Sequence, residues 1–102
     1  MAQLVVLYKT PSDRAAFDAY YSSTHIPLAK KLPGLKKYEV STGPVKAVQG
    51  ESPYYLVAIL HFASTEAVFE ALGSPEGKAT ARDLANFAQA GVELYAFETK
   101  DV

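Results

Sequence analysis

The sequence contains no cysteine, and this absence removes several kinds of chemistry at once. Disulfide bonds, thiolate metal sites and a cysteine nucleophile are all excluded. Proteins of reducing compartments rarely contain disulfides, so the composition is compatible with such a compartment. We therefore expect a cytoplasmic protein.

The sequence also lacks clustered charge of one sign and long apolar segments. Its 10 lysine and arginine residues and 11 acidic residues are scattered along the chain, and the formal net charge is -1. Neither a basic stripe for nucleic acid nor a charged patch for a membrane surface is evident. No apolar run approaches the about 20 residues that span a bilayer. We expect neither nucleic acid nor a membrane as a partner.

Apolar residues, in contrast, are abundant and make up 49% of the 102 residues. A chain of this length and composition folds as one domain with its own core, and it gains stability if it oligomerises. We therefore take residues 1–102 as a single domain.

The chain alternates between strand-like and helix-like patterns. β-branched and aromatic runs predict four strands, and apolar positions at helical spacing predict helices between them. Ser64 and Ser74-Pro75 are typical of helix N-termini, so the second helical region divides into two short helices. The apolar stripe of the last helix is predicted at Ala81, Leu84, Ala85 and Ala88. The predicted strands cover about residues 3–9, 36–45, 54–63 and 92–99, and the predicted helices about residues 13–32, 64–73 and 74–91.

The order β-α-β-β-α-β is the split βαβ, or ferredoxin-like, arrangement. We predict an α+β fold in which one antiparallel sheet carries helices on one face. The other face would then be exposed in a monomer, although it carries Tyr55, Val57, Ile59, His61, Glu93, Tyr95 and Phe97. An exposed apolar face usually marks an interface or a ligand cavity. We therefore predict a homodimer whose two sheets stack face to face.

The stretch from Ala19 to Tyr38 carries the most suggestive chemistry. Pro27 interrupts its helical pattern, because proline lacks an N–H and clashes with the preceding turn, so the helix must kink or restart there. His25 lies at the edge of the apolar stripe just before this interruption. An imidazole that titrates near neutral pH can act as a general acid or base. The alternative is that His25 binds a backbone carbonyl freed by Pro27.

Three parts of the chain resemble the EthD family, which is named for ethyl tert-butyl ether degradation. The first part runs from Leu4 to Lys9. The second runs from Phe17 to Val40 and includes Thr24-His-Ile-Pro-Leu. The third runs from Ser74 to Ala88 and includes Asp83-Leu-Ala-Asn-Phe-Ala. The resemblance implies a ferredoxin-like fold that dimerises into an α/β barrel. Barrels of this superfamily include muconolactone-type isomerases, heme peroxidases, heme-degrading oxygenases, polyketide cyclases and antibiotic-biosynthesis monooxygenases, so the fold leaves the reaction open.

The same resemblance implies a catalytic pair. In relatives that are similar to methylmuconolactone isomerases, a histidine of the first helix and a tyrosine that opens the second strand line the cleft, and the matching positions are His25 and Tyr38. His25 would shuttle a proton, and Tyr38 would polarise a carbonyl. Tyr38 alternates with Lys37 and Glu39, which leaves open whether it faces the cleft or the helices.

Further residues are candidates for lining the substrate cavity, with an ordinary core or dimer-interface role as the alternative for each: Tyr8, Tyr55, His61, Tyr95 and Phe97. A heme or metal site needs a defined ligand set, which two histidines and Glu39 at no motif spacing do not supply. We expect no cofactor and no metal.

These patterns support two functional hypotheses. The first is a small catabolic or biosynthetic enzyme that needs no cofactor and acts on a small, partly apolar oxygenated molecule. The second is a non-catalytic binding or accessory domain that serves an oxygenase-type degradation system. Heme binding through a histidine ranks after both.

Overall fold

The computed structural model describes residues 1–102 and contains one four-stranded antiparallel sheet. The strands are β1 (Ala2–Lys9), β2 (Lys37–Val40), β3 (Tyr54–Phe62) and β4 (Val92–Glu98). Their order across the sheet is β2-β3-β1-β4. Strand β3 is therefore one of the two central strands.

The helices pack against one face of this sheet. They are α1 (Arg14–Tyr20), a π-helical turn (Tyr21–His25), α2 (Ile26–Ala29), α3 (Thr65–Gly73) and α4 (Pro75–Phe87). The predicted β-α-β-β-α-β order and the α+β ferredoxin-like architecture are confirmed. None of the helices combines the length and the apolar character needed to cross a membrane.

The predicted interruption at Pro27 takes the form of a change in helix type. The backbone N–H of Ile26 donates to the carbonyl of Tyr21, five residues earlier, and Pro27 then lies in the first turn of α2. Proline has no N–H to donate to the preceding helical turn, and the helix changes from π to α type next to it. The chain therefore continues as a helix through Pro27 instead of breaking.

Two predicted boundaries are wrong. The pattern predicts a second strand that reaches residue 45, but β2 ends at Val40, because Gly43 adopts a positive φ of 70° and Pro44 follows it. It also predicts a last helix that continues to residue 91, but Ala88 has φ -102° and ψ 37° and leaves the helical region.

Helices α3 and α4 meet at a tight corner, as the two serine caps predict. Ser64 Oγ accepts a hydrogen bond from the Ala67 N–H at 3.1 Å, and Ser74 Oγ accepts one from the Gly77 N–H at 3.0 Å. A Cβ atom at Gly77 would lie 2.0 Å from the carbonyl oxygen of Ala71. The glycine therefore allows the α4 backbone to rest directly on the end of α3.

This close contact fixes the rotation of α4, and the predicted apolar stripe of that helix is wrong in part. Ala81 and Ala85 are exposed, whereas the buried residues of the helix are Gly77, Thr80, Asp83 and Phe87. The buried face thus carries a carboxylate in place of an alanine.

The two faces of the sheet differ as the alternation predicts. Ala58, Leu60 and Phe62 are buried beneath the helices, whereas Val57, Ile59 and His61 lie on the helix-free face and are only partly covered. Leu7 and Val5 of β1 pair with Val57 and Ile59 and extend this helix-free face.

The expected position of Tyr55 on the helix-free face is wrong. The pairing of β1 with β3 shifts by one residue between Tyr8 and Lys9, which pair with Leu56 and Tyr54, so Tyr55 is left without a partner. Such a bulge redirects a side chain. The Tyr55 ring consequently packs edge-on against Phe17 at 5.5 Å, and its hydroxyl donates to Asp18 at 2.9 Å.

Candidate functional site

The His25 imidazole lies between the helices and the sheet and is 4% exposed. The π-helical turn ends at His25 and directs its ring inward, against Phe87 at a centroid distance of 4.7 Å. His25 Nδ1 is 2.9 Å from Asp83 Oδ2, and Nε2 is 3.4 Å from the Tyr8 hydroxyl. Both ring nitrogens therefore have side-chain partners, and the alternative in which His25 binds a carbonyl freed by Pro27 is wrong.

Asp83 is the buried carboxylate that orients this ring. Its Oδ1 atom accepts hydrogen bonds from the Tyr20 hydroxyl at 2.6 Å and from Asn86 Nδ2 at 3.0 Å. Burial by itself raises the pKa of Asp83, but the hydrogen bonds from Tyr20, His25 and Asn86 outweigh it and lower the pKa below its ordinary value. Asp83 is therefore ionised at neutral pH and can only accept hydrogen bonds.

The protonation state of His25 follows from this partner. Burial lowers the pKa of His25, and the hydrogen bond and charge of Asp83 only partly oppose that effect. The ring is therefore neutral at pH 7. Because Asp83 is an acceptor, the single ring proton is on Nδ1, and Nε2 keeps its lone pair.

Strand alternation alone leaves open whether Tyr38 faces the cleft or the helices. In the structure Tyr38 pairs with Leu60 and faces the helices. Its hydroxyl lies 2.6 Å from the hydroxyl of Tyr21. Burial raises the pKa of Tyr38, and burial also raises the pKa values of Tyr8 and Tyr21 well above the ordinary value. All three phenols are therefore neutral hydrogen-bonding groups at pH 7.

A small cavity of about 40 Å³ lies among these groups. The lining residues with polar side-chain groups are His25, Tyr8, Tyr38 and Thr80, and the Thr80 hydroxyl already donates to the carbonyl of Glu76 at 2.8 Å. The other lining residues are Leu4, Val6, Ala29, Leu32, Ala58, Leu60, Leu72, Ala81, Leu84 and Leu94. Ala81 and Leu94 are exposed, so the cavity approaches the surface beside them. An imidazole and phenols in an otherwise apolar enclosure suit a small apolar ligand that carries an oxygen atom.

The structure brings together only part of the predicted site. Tyr8, His25 and Tyr38 line one cavity. Tyr55 lies against α1, outside that cavity, whereas His61, Tyr95 and Phe97 lie on the opposite face of the sheet. The cavity beside His25 is thus on the helix side of the sheet, not on the side that carries the exposed aromatic residues.

Three polar residues of the site were not identified from the sequence. Asp83 is hydrogen-bonded to His25, and Tyr20 is hydrogen-bonded to Asp83. Tyr21 is hydrogen-bonded to Tyr38. The spacing of Thr80, Asp83 and Phe87 was the available signal, because it sets a carboxylate within a helical stripe that is otherwise buried. No group of three or more histidine and carboxylate side chains is arranged to hold a metal ion.

The fold and this site define a ferredoxin-like α+β protein with a buried histidine and carboxylate pair beside an apolar cavity. Residues 9–91 match the model of the EthD domain, and the chain belongs to the EthD family. An uncharacterised 11.0 kDa protein encoded in the thcB-thcC intergenic region of Rhodococcus erythropolis is 39% identical over 95 residues, which cover 92% of this chain and 90% of that protein.

Solved structures agree with this assignment. An EthD family protein from Bacillus halodurans superposes with a TM-score of 0.88 at 36% identity, covering 98% of this chain and 99% of the other. A dimeric ferredoxin-like protein of unknown function from Thermobifida fusca has a TM-score of 0.70 at 13% identity, covering 96% and 90% of the two chains. The similarity to the Thermobifida fusca protein, at 13% identity, establishes the fold alone.

Proposed function

We propose that this EthD family protein is a cofactor-independent enzyme in which His25 shuttles a proton on a small, largely apolar molecule bearing a carbonyl group. The observation that carries the proposal is the 2.9 Å contact between His25 Nδ1 and Asp83, which leaves Nε2 as an unprotonated base beside the cavity. This is the arrangement that general base catalysis requires, a base oriented by a third group.

The proposed step is a proton transfer that needs no other reagent. Nε2 takes a proton from the carbon next to the carbonyl, and the electron pair of the broken C–H bond moves onto the carbonyl oxygen as an enolate. The imidazolium formed is stabilised by Asp83, and it returns the proton to the same or another carbon. Atoms and charge balance without a cofactor.

Tyr38 would hold the developing enolate oxygen. Its raised pKa keeps the phenol protonated, and it can donate a hydrogen bond to the oxygen when the Tyr21 hydroxyl is the donor in their 2.6 Å contact. Preorganised donors of this kind act most strongly in apolar surroundings, where water does not compete. Tyr8, which lies within 3.4 Å of Nε2, is a second candidate to orient the ligand.

The cavity limits what can bind. Its volume of about 40 Å³ is far below the roughly 300–1,000 Å³ of typical ligand pockets. A substrate must therefore enter by movement of the surrounding side chains, and Leu94 and Ala81 are the exposed residues of the lining. The apolar lining favours a compact molecule with a single carbonyl group.

Deuterium incorporation tests this proposal even when the product of the reaction is unidentified. Small ketones, esters and lactones are incubated with the protein in D2O, and exchange next to the carbonyl is followed by NMR. His25→Gln is the informative variant, because glutamine places a neutral amide of similar length in the buried position but has no basic nitrogen. Protein-dependent exchange that disappears in His25→Gln supports the proposal, whereas exchange that persists in this variant contradicts it.

A second candidate is the non-catalytic binding or accessory domain of an oxygenase-type system. The small volume of the cavity favours it, because such a site leaves little room for a substrate to reach a reacting geometry. Binding of a carbonyl compound that weakens in Tyr38→Phe, with no exchange in the unaltered protein, would select this candidate.

The helix-free face of the sheet supports the proposal that the protein is a homodimer. This face combines the apolar residues Leu7, Val57 and Ile59 with Tyr95 and Phe97, which are 55% and 44% exposed. An apolar surface of this extent is unusual on a monomer. A second copy stacked on it would complete an α/β barrel, and a dimeric relative in fold is known from Thermobifida fusca.

A further inference from the structure

Asp83 accepts hydrogen bonds from three residues, and two of them, Tyr20 and Asn86, do not line the cavity. His25 donates to Oδ2, whereas Tyr20 and Asn86 both donate to Oδ1. Asn86 is only three residues further along the same helix, so its contact is local. Tyr20 belongs to α1, and its 2.6 Å contact is the shortest of the set.

The π-helical turn is what allows Tyr20 and His25 to share one carboxylate. In an α-helix, residues five apart are separated by roughly 140° around the axis, because each residue turns about 100°. In π geometry the hydrogen bonds run from residue i to residue i+5, so residues five apart lie on nearly the same side. The turn from Tyr21 to His25 thus directs the side chains of Tyr20 and His25 to the same carboxylate of α4.

The Tyr20 ring is itself fixed against the wall of the site. It stacks on Phe87 at a centroid distance of 5.4 Å, and Phe87 also contacts the His25 ring at 4.7 Å. The Tyr20 hydroxyl is therefore held in place when it binds Oδ1. The Tyr20 hydroxyl donates to Oδ1 of Asp83. Rotation of the Asp83 carboxylate away from His25 would therefore break this charge-assisted hydrogen bond.

We propose that Tyr20 is a positioning residue which, through Asp83, keeps the proton of His25 on Nδ1 and leaves Nε2, beside the Tyr8 hydroxyl, without a proton. The importance of this role rests on the proposed function, because only a base at Nε2 needs a fixed tautomer. The π-helical turn is the backbone device that makes the contact possible. Tyr20 does not line the cavity, and its hydroxyl is linked to His25 through Asp83.

The test measures the tautomer of His25 directly. The ¹⁵N shifts of its two ring nitrogens are recorded at pH 7.5 in the unaltered protein, in Tyr20→Phe and in Asp83→Asn. Tyr54→Phe is the matched control, because it removes a hydroxyl that binds another carboxylate, Glu93, at 3.0 Å. Loss of one hydrogen bond should raise the population of the Nε2–H tautomer about tenfold in Tyr20→Phe, with a larger change in Asp83→Asn and none in Tyr54→Phe.

An unchanged tautomer in Tyr20→Phe would overturn the proposal, and so would a chain that fails to fold, since the hydroxyl would then have a structural role. The His25 tautomer is measured without any substrate, so this result does not depend on catalysis. A changed tautomer in a protein that exchanges no substrate proton would support the role of Tyr20 and contradict the proposed enzyme activity.

Discussion

His25 and Asp83 are 58 residues apart in the sequence, yet His25 Nδ1 and Asp83 Oδ2 lie 2.9 Å apart. Each residue comes from a different helix–strand unit, so the pair also joins the two halves of the fold. The chemistry proposed for the cavity and the stability of the domain therefore depend on the same contact.

The free energy of unfolding should depend on pH through the titration of His25 in this pair. The folded-state pKa of His25 is lowered from 6.5, mainly by burial, so the unfolded chain binds more protons than the folded one below that pH. The stabilisation is fully present above about pH 6.5 and is lost as the pH falls towards the folded-state pKa, with a slope of at most about 1.4 kcal/mol per pH unit.

Urea unfolding between pH 8 and pH 5 measures this slope. His25→Gln should flatten it, because glutamine does not titrate. An equally steep decline in His25→Gln would assign the effect to other groups. The lowered pKa of Asp83, for which burial is outweighed by its hydrogen bonds, adds a further loss only at more acidic pH, below its ordinary value of 3.8.

Tyr38→Phe should slow deuterium exchange by about 10²-fold or more, because one donor to the enolate oxygen is removed. The melting temperature should fall by only a few degrees, since the buried Tyr21 hydroxyl loses one hydrogen-bond partner. Tyr54→Phe, whose hydroxyl binds Glu93, serves as the control and should retain full exchange. Parallel losses of activity and melting temperature in Tyr38→Phe would indicate a structural hydroxyl instead.

Gly77→Ala should destabilise the protein by about 1–3 kcal/mol, because a Cβ atom would overlap the backbone of α3 at Ala71. Gly73→Ala is the matched control at the same corner. No atom lies within 4 Å of a Cβ there, and the change should be neutral or stabilise by up to about 1 kcal/mol. The denaturant midpoints of the two variants measure this difference in stability. Equal midpoints would contradict the close contact between Gly77 and the end of α3.

Phe97→Glu should convert the proposed dimer into a monomer, because it buries a charge in a face-to-face sheet interface. Phe69→Glu is the control. Phe69 is 65% exposed but lies on α3, in the helix layer, so this substitution should leave the dimer intact. Light scattering over a range of concentrations distinguishes the states, and a monomer for the unaltered chain at micromolar concentration would contradict the dimer itself.

Local sequence rules predicted most of the fold. The serine caps at Ser64 and Ser74 were identified correctly because an N-cap depends on neighbouring residues only. The order of strands and helices followed from hydrophobic periodicity for the same reason. Tyr55 was misassigned because a bulge depends on pairing with β1, which is distant in sequence.

The site was predicted less completely, since its key contacts are all long-range. His25 stood out as a histidine beside a proline, but nothing local connects it to Asp83. The alanines of α4 suggested a different buried face, and the rotation that brings Asp83 inward depends on contact with α3 through Gly77. Tyr38 became a candidate through family resemblance, and its orientation required the pairing with Leu60.

The strand order has a consequence for a cleaved chain. With the order β2-β3-β1-β4, strands from the first half of the sequence alternate with strands from the second, so neither half contains two adjacent strands. The halves are connected only by the mostly exposed loop 41–53. A protein cut in this loop should behave as two complementing fragments, each unable to form the sheet alone, and the contact between His25 and Asp83 should return only when the fragments reassociate.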